Sequence, residues 1–189
     1  MKSYHDIKNF SDWSKTEKDQ YSIKVIKGLV MDATRKANSG HPGGTMSCAD
    51  FSYILYHDYL NFDPMNHEWF NRDRFVLSGG HMSMLQYSLL LLIGWLGMDD
   101  IKSFRQLHSR TPGHPEVEIP GVECTTGPLG QGFAMGVGMA HAEAYLHNLF
   151  RSLAEEAGQF VDHYTYVLAS DGDLQEPVTL GSASLAGHL

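Results

Sequence analysis

The chain has 189 residues, of which 42% are hydrophobic and 19% charged, and its formal net charge is -8 at pH 7. That size and balance fit one globular domain with a real core and exclude a disordered chain. The acidic balance speaks against nucleic acid or a membrane as the main partner, so an anionic ligand would need a metal, backbone amides and histidines to hold it.

Two cysteines, Cys48 and Cys124, match neither a disulfide framework nor a zinc motif, and the default setting is reduced and cytoplasmic. The polar start, Met1 to Asp6, does not read as a signal peptide. The longest apolar run, Leu89 to Met98, is too short to span a bilayer.

Residues 1–13 show no pattern and read as a loose lead-in. Ser14 and Glu17 have capping-box spacing, and Ile23, Ile26, Val30, Ala33 and Ala37 keep helical spacing behind them. A helix to about Ala37 follows from that pattern. Asn38 to Gly44 is a run of turn formers and reads as a loop. A second helix should then place Phe51, Ile54, Leu55 and Tyr59 on one face.

Asn61 to Asp73 is a polar connection, and Arg74 to Ser78 reads as a short strand running into Gly79-Gly80-His81. Met82 to Leu96 is apolar and too long for a strand, so it reads as a buried helix. Asp99 is the expected cap of a short helix to about Leu107. From His108 to Gly132 there is no periodicity, and so long a structureless stretch is usually functional.

Gly132 to about Ala157 reads as one long helix, rich at first in Gly136, Gly138 and alanines. Glycine inside a helix costs roughly 1 kcal/mol against alanine, so close packing should compensate. Tyr164 to Ala169 reads as a buried strand that stops at Ser170-Asp171-Gly172-Asp173, with a last helix to Gly187. Only two strands are convincing, and a sheet usually has more. The chain therefore reads as stopping inside its fold, with an open sheet edge and with helices 82–96 and 132–157 short of cover.

Four loops share a theme. His41 stands in SGHPGG, His81 in LSGGH and His114 in TPGHPE, each beside glycine, while Asp171 stands in SDGD at a strand end. Imidazole and bare backbone can approach a ligand together, and ligands of open α/β sheets bind beyond the carboxyl ends of strands. A carboxylate there can hold a hard cation against a phosphate. TTGPLGQG, Thr125 to Gly132, opens the long helix and would aim its amides at a polar group. A calcium loop at Asp171 and Asp173 lacks the distal glutamate, and a zinc site at His108 and His114 lacks further ligands.

These motifs, with NRDRFVLSGGH, FRQL, GVE, VGMA and SLAGHL in the same order, resemble the N-terminal part of transketolases from about Tyr21 onward. The resemblance implies a lead-in over 1–20 and, over 21–189, the front portion of the diphosphate-binding domain. The implied fold is α/β, a parallel sheet flanked by helices, apparently truncated before the sheet is complete. It implies thiamine diphosphate with Mg2+ or Ca2+ as cofactors, sugar phosphates as substrates, and a homodimer or a complementary C-terminal region as partner.

Residue by residue, the resemblance makes Asp171 a metal ligand and sets Gly172 against the diphosphate, with His81 bonded to one of its oxygens. Gly127 would meet the aminopyrimidine through its backbone, and Leu129 would pack on the cofactor rings. His41 and His114 would face the substrate, and Glu176 would join a carboxylate network at the dimer interface. A second metal ligand, an asparagine, and the glutamate that activates the cofactor would lie outside these residues. The rival reading is a non-catalytic fragment or subunit that needs a partner chain. Departures from the pattern stand at Ser170, Pro177, Gly181, His108 and Thr45 to Ser47, and none removes a named ligand.

Overall fold

The structure is a computed structural model that describes residues 9–153 and 160–189. In chain order the helices and strands are α1 (Lys15–Ala37), α2 (Pro42–Ser47), α3 (Ala49–Ile54), β1 (Arg74–Leu77), α4 (Ser83–Leu92), α5 (Met98–Lys102), α6 (Gln131–Leu153), β2 (Thr165–Leu168), α7 (Asp171–Gln175) and α8 (Pro177–Ala186). The two strands run parallel, with Arg74 opposite Thr165 and Leu77 opposite Leu168. The fold is thus the expected α/β class, a parallel sheet flanked by helices, with two strands among the described residues.

Helix α1 starts as its sequence predicts. The Ser14 Oγ accepts from the Glu17 amide at 3.3 Å, and Glu17 Oε2 accepts from the Ser14 amide at 3.0 Å. Ile26, Val30 and Ala33 are buried along one stripe, and Asn38 ends the helix in the left-handed region at φ 48°. The lead-in is less loose than expected where it is described. Trp13 is buried, with Phe10 and Tyr21 against it at centroid distances of 5.2 and 5.4 Å. Residues 1–8 lie outside the described residues.

Helix α4 is the centre of the core. Leu85 and Leu89 point into one cluster with Ile26, Tyr53, Tyr56 and Phe75. Met84, Tyr87 and Leu90 point into another with Val30, Ala33, Ile101 and Phe104. Its apolar surface is covered from Ser83 to Leu90 by α1, α3, β1 and the long loop, and only its last turn, at Leu92, is exposed, so little of the expected lack of cover is found there. For α6 the expectation holds, since Met135, Tyr145 and Leu149 are exposed.

Several boundaries differ from the sequence reading, each for a local reason. Gly43 and Gly44 lie in α2 and not in a loop, because Pro42 takes the first helical position, where its fixed φ suits the turn. Leu55 is buried and Ile54 half-buried as expected, but Phe51 and Tyr59 are exposed, and Ala49, Ser52, Tyr53 and Tyr56 complete the buried face in their place. A five-residue-spaced turn, Leu55–Tyr59, breaks the 3.6-residue period there. Helix α4 stops at Leu92, before Gly94 at φ 89°.

The cap of α5 is Gly97, whose amide donates to Asp100 Oδ2 at 2.8 Å, and not Asp99. That helix ends at Lys102 because the chain turns through positive φ at Arg105 and His108. The last helix is two helices, since Pro177 holds Glu176 extended at ψ 136°. Strand β2 is half-buried and not fully buried, being paired on one side by β1. The expected end of α6 at Ala157 lies outside the described residues.

Both ends of β1 are fixed by carboxylates. At its start, Asp73 accepts from the Asn61 amide at 2.8 Å and the Tyr164 amide at 2.7 Å, aligning the entry to β2. Glu123 accepts from Arg72 at 3.0 and 2.9 Å, with Arg74 3.6 Å away. Burial raises the Glu123 pKa, against the pull of both arginines.

The glycines of α6 divide by what surrounds them. A Cβ on Gly132 would stand 2.6 Å from Ser78 Cα, and one on Gly136 2.4 Å from Val167 Cγ2, whereas nothing lies within 4 Å of Gly138. Close packing therefore compensates the first two. Gly132→Ala should lower stability by about 1–3 kcal/mol, and Gly138→Ala should raise it by about 1 kcal/mol. Denaturant midpoints of the two variants check this contrast; a matching sign would refute the packing account.

Candidate functional site

The carboxyl ends of β1 and β2 are neighbours. The amides of Ser78 and Gly79 both donate to Leu168 O, at 3.0 and 3.3 Å, so the SGGH and SDGD turns leave the same sheet edge side by side. His81 and Asp171 thus lie at one edge, as a shared ligand requires.

A buried carboxylate joins these turns to a third. Asp173 is fully buried, and its Oδ1 accepts from Ser78 Oγ at 2.9 Å and from the Gly130 amide at 2.7 Å. Its Oδ2 accepts from the Ser170 amide at 2.7 Å and Ser170 Oγ at 2.8 Å. Ser78 Oγ in turn accepts from the Phe133 amide at 2.9 Å, which pins the start of α6. Burial pushes the Asp173 pKa up, but the bonds from Gly130, Ser170 and Ser78 outweigh it and hold the carboxyl below its ordinary 3.8.

The three histidines converge. His41 caps α2 without a side-chain bond, and its ring meets His81 edge to face at a centroid distance of 5.3 Å. A Cβ on Gly80 would stand 2.8 Å from the Gly127 amide nitrogen, and one on Gly127 3.4 Å from the His114 ring. Gly127 adopts φ 149°, so it needs to be glycine both for its backbone and for the approach. The His114 loop is held from below: Tyr87 Oη donates to Pro112 O and His114 O, and Ser83 Oγ donates to Gly113 O.

His41 and His114 are both kept below the usual histidine pKa. For His41 the causes are burial, then His81, then Arg105; for His114 they are burial, then Arg105, His41 and His81. Both imidazoles are neutral near pH 7 and free to accept a proton or a hydrogen bond.

The remaining predicted residues line the same edge. A Cβ on Gly172 would lie 3.1 Å from Leu129 Cδ1, and one on Gly130 2.7 Å from Glu176 Cβ. Glu176 therefore sits behind the TTGPLGQG loop, at the start of α8. Asp171 is exposed at the first position of α7, with no side-chain bond among the described residues. No group of three His, Cys, Asp or Glu among the described residues is placed to hold a metal. A groove of about 750 Å³ lies elsewhere, between α6, β2 and the end of α8.

Sequence reasoning weighed Asp173 only as part of a calcium loop and gave no role to Ser78, Thr126 or Arg105 by themselves. Ser170-x-x-Asp173 has capping-box spacing, which was the available signal for Asp173; the reach to Ser78 and Gly130 had none. Thr126 Oγ1 is buried without a hydrogen-bond partner, and a Cβ on Gly80 would stand 2.6 Å from it. The SGGH and TTGPLGQG loops therefore touch directly at Gly80 and Thr126, with no room for a methyl group between them, and glycine at position 80 is what permits that approach.

Glycine turns, histidines and one exposed carboxylate at the carboxyl edge of a parallel sheet define an α/β protein whose edge suits an anionic, polar ligand. Residues 18–189 match the family described as transketolase, thiamine diphosphate binding domain. The chain is 55% identical over 173 residues to a transketolase of Staphylococcus epidermidis, covering 91% of this chain and 26% of that one. Among solved structures it resembles the transketolase from Leishmania mexicana, with a TM-score of 0.86, 47% identity, and coverage of 90% and 25%. It is similar also to the Pichia stipitis transketolase in complex with sedoheptulose 7-phosphate, with a TM-score of 0.84, 47% identity and the same coverage. The chain belongs to the transketolase family, and it spans about a quarter of the length of these relatives.

Asp173 sets an acid limit on this edge. Its folded pKa is depressed, so its contribution is complete above the unfolded value and is lost as pH falls from about 4 through the folded pKa. Asp173→Asn should flatten the stability–pH curve below about pH 4, and Asp173→Ala should cost about 3 kcal/mol at pH 7 by orphaning four donors. Thermal melts of both variants from pH 3 to 7 measure this; an unchanged acid limb in Asp173→Asn rules the coupling out.

Proposed function

We propose that this chain supplies the diphosphate-binding domain of a transketolase, which moves a two-carbon ketol unit from a ketose phosphate to an aldose phosphate. Within it, residues 21–189 form the front portion of the domain behind a lead-in of residues 1–20. The observation that carries the reading is the convergence of the SGGH, TPGHPE, TTGPLGQG and SDGD loops at one sheet edge, in a chain of this family.

The residues present fit thiamine diphosphate on the diphosphate side. The Gly172 backbone and the His81 imidazole would offer donors to phosphate oxygens at this edge. Asp171 would ligate Mg2+ or Ca2+, Gly172 would lie against the diphosphate, and Gly127 and Leu129 would meet the cofactor's rings. When bound, thiamine diphosphate supplies the electron sink and carbanion chemistry for breaking and making the carbon–carbon bond.

This chain's own residues bind, orient and move protons. His41 and His114, held neutral, would accept hydrogen bonds or protons from substrate hydroxyls. His81 would donate to a diphosphate oxygen. Glu176, on the far side of the TTGPLGQG loop, would join a carboxylate network with a second copy in a homodimer. Further metal donors and the activating glutamate would come from outside these residues, so turnover requires the rest of a transketolase or a complementary chain. A cytoplasmic enzyme acting on sugar phosphates completes the proposal; among the described residues no helix is long and apolar enough to cross a membrane.

Two measurements test it. In a chimera carrying residues 18–189 in place of the matching part of the S. epidermidis transketolase, two-carbon transfer should persist, while the 189-residue chain alone should show none. Asp171→Ala in that chimera should weaken Mg2+-dependent cofactor binding at least about tenfold, since no neutral side chain replaces a carboxylate on a hard cation. Its melting temperature should stay unchanged, because the Asp171 side chain is exposed. Undiminished affinity by titration calorimetry would remove Asp171 from the metal site.

A further inference from the structure

The loops that carry His41 and His114 lie 73 residues apart in sequence, and one side chain bridges them. Arg105 Nη1 donates to Ser39 Oγ at 3.0 Å, two residues before His41. Its Nη2 reaches Gly113 O at 3.5 Å, the residue before His114. The guanidinium packs so closely on Gly113 that a Cβ there would stand 3.0 Å from Arg105 Cζ, and it lies 5.6 Å from the Phe104 ring centroid.

The backbone is arranged around this placement. Arg105 adopts φ 60°, uncommon for a residue with a Cβ, and its amide donates to Thr111 O at 2.9 Å, folding the loop back on itself. Its Nε is buried without a hydrogen-bond partner. A strained backbone and an unpaired buried donor persist only where other contacts over-determine them.

We propose that Arg105 is the positioning residue for His41 and His114: its guanidinium ties together the two loops that carry them and presents one fixed positive charge to both imidazoles. That they face a substrate rests on the function proposed above; the strap itself does not. The groups acting on His41 are His81 and Arg105, and those acting on His114 are Arg105, His41 and His81. Arginine suits the task because its charge is permanent and its planar fork holds two acceptors in fixed directions. Two histidines close to each other would otherwise compete for one proton, and the adjacent cation favours neither holding it.

The test is an NMR titration of the imidazoles in the 189-residue chain, with resonances assigned by single His→Gln substitutions. Arg105→Met should move the midpoints of His41 and His114 upward together, leaving His163, which senses Arg72 and Arg74, in place. Arg105→Lys keeps the charge and should hold both midpoints near the parent values. Should the Arg105 variants fail to fold, Ser39→Ala removes one end of the strap alone and should raise amide exchange at Ser39 and Gly40 about tenfold. Midpoints unmoved in Arg105→Met, an equal rise in Arg105→Lys, or unchanged exchange in Ser39→Ala each overturns the proposal. None of these readouts involves cofactor or turnover, so failure of the strap and failure of the proposed activity are separate results.

Discussion

The carboxylate of Asp173 accepts four hydrogen bonds from three segments that are remote in sequence: the exit of β1 at Ser78, the start of α6 at Gly130, and its own turn at Ser170. Removing a charge from water is unfavourable unless such donors replace the lost hydration, and here they do. The position of every other loop at this edge follows from that convergence. Ser78 aims SGGH, Gly130 aims TTGPLGQG, and Ser170 sets the turn from which Asp171 projects. The residue at the centre of the edge is thus one that need touch no ligand.

The same device closes the other end of the sheet. Asp73 aligns the entries of β1 and β2, and Glu123 holds Arg72 and Arg74. Two four-residue strands bury little by themselves, so register depends on these fixed ends and on α4 packed beneath. Helix α4 also supplies Ser83 and Tyr87, which hold the His114 loop. Core and site thus share one support.

Electrostatically the edge departs from the chain as a whole. The net charge is -8, yet His41, His81, His114 and Arg105 are gathered at one place. A site assembled from imidazoles, backbone amides and one shielded guanidinium can hold an anion while the rest of the surface stays acidic. The carboxylate at the rim, Asp171, is suited to a cation between it and such an anion.

Much of this was legible in the residues. The capping box at Ser14 and Glu17, the stripe Ile26, Val30 and Ala33, and the strand at Arg74 are local patterns, and local patterns survive folding. The glycine-flanked histidines and TTGPLGQG marked the site because close backbone approach demands glycine wherever it occurs in the chain. What the sequence could not determine were the relations between segments. The buried face of α3 depended on a wide turn that no spacing announces. The role of Asp173 depended on Gly130, 43 residues earlier, and that of Arg105 on Ser39 and Gly113. Periodicity and capping act over a few residues, whereas a buried charge finds its donors across the whole chain, so only the tertiary structure decided which polar side chains hold the site together.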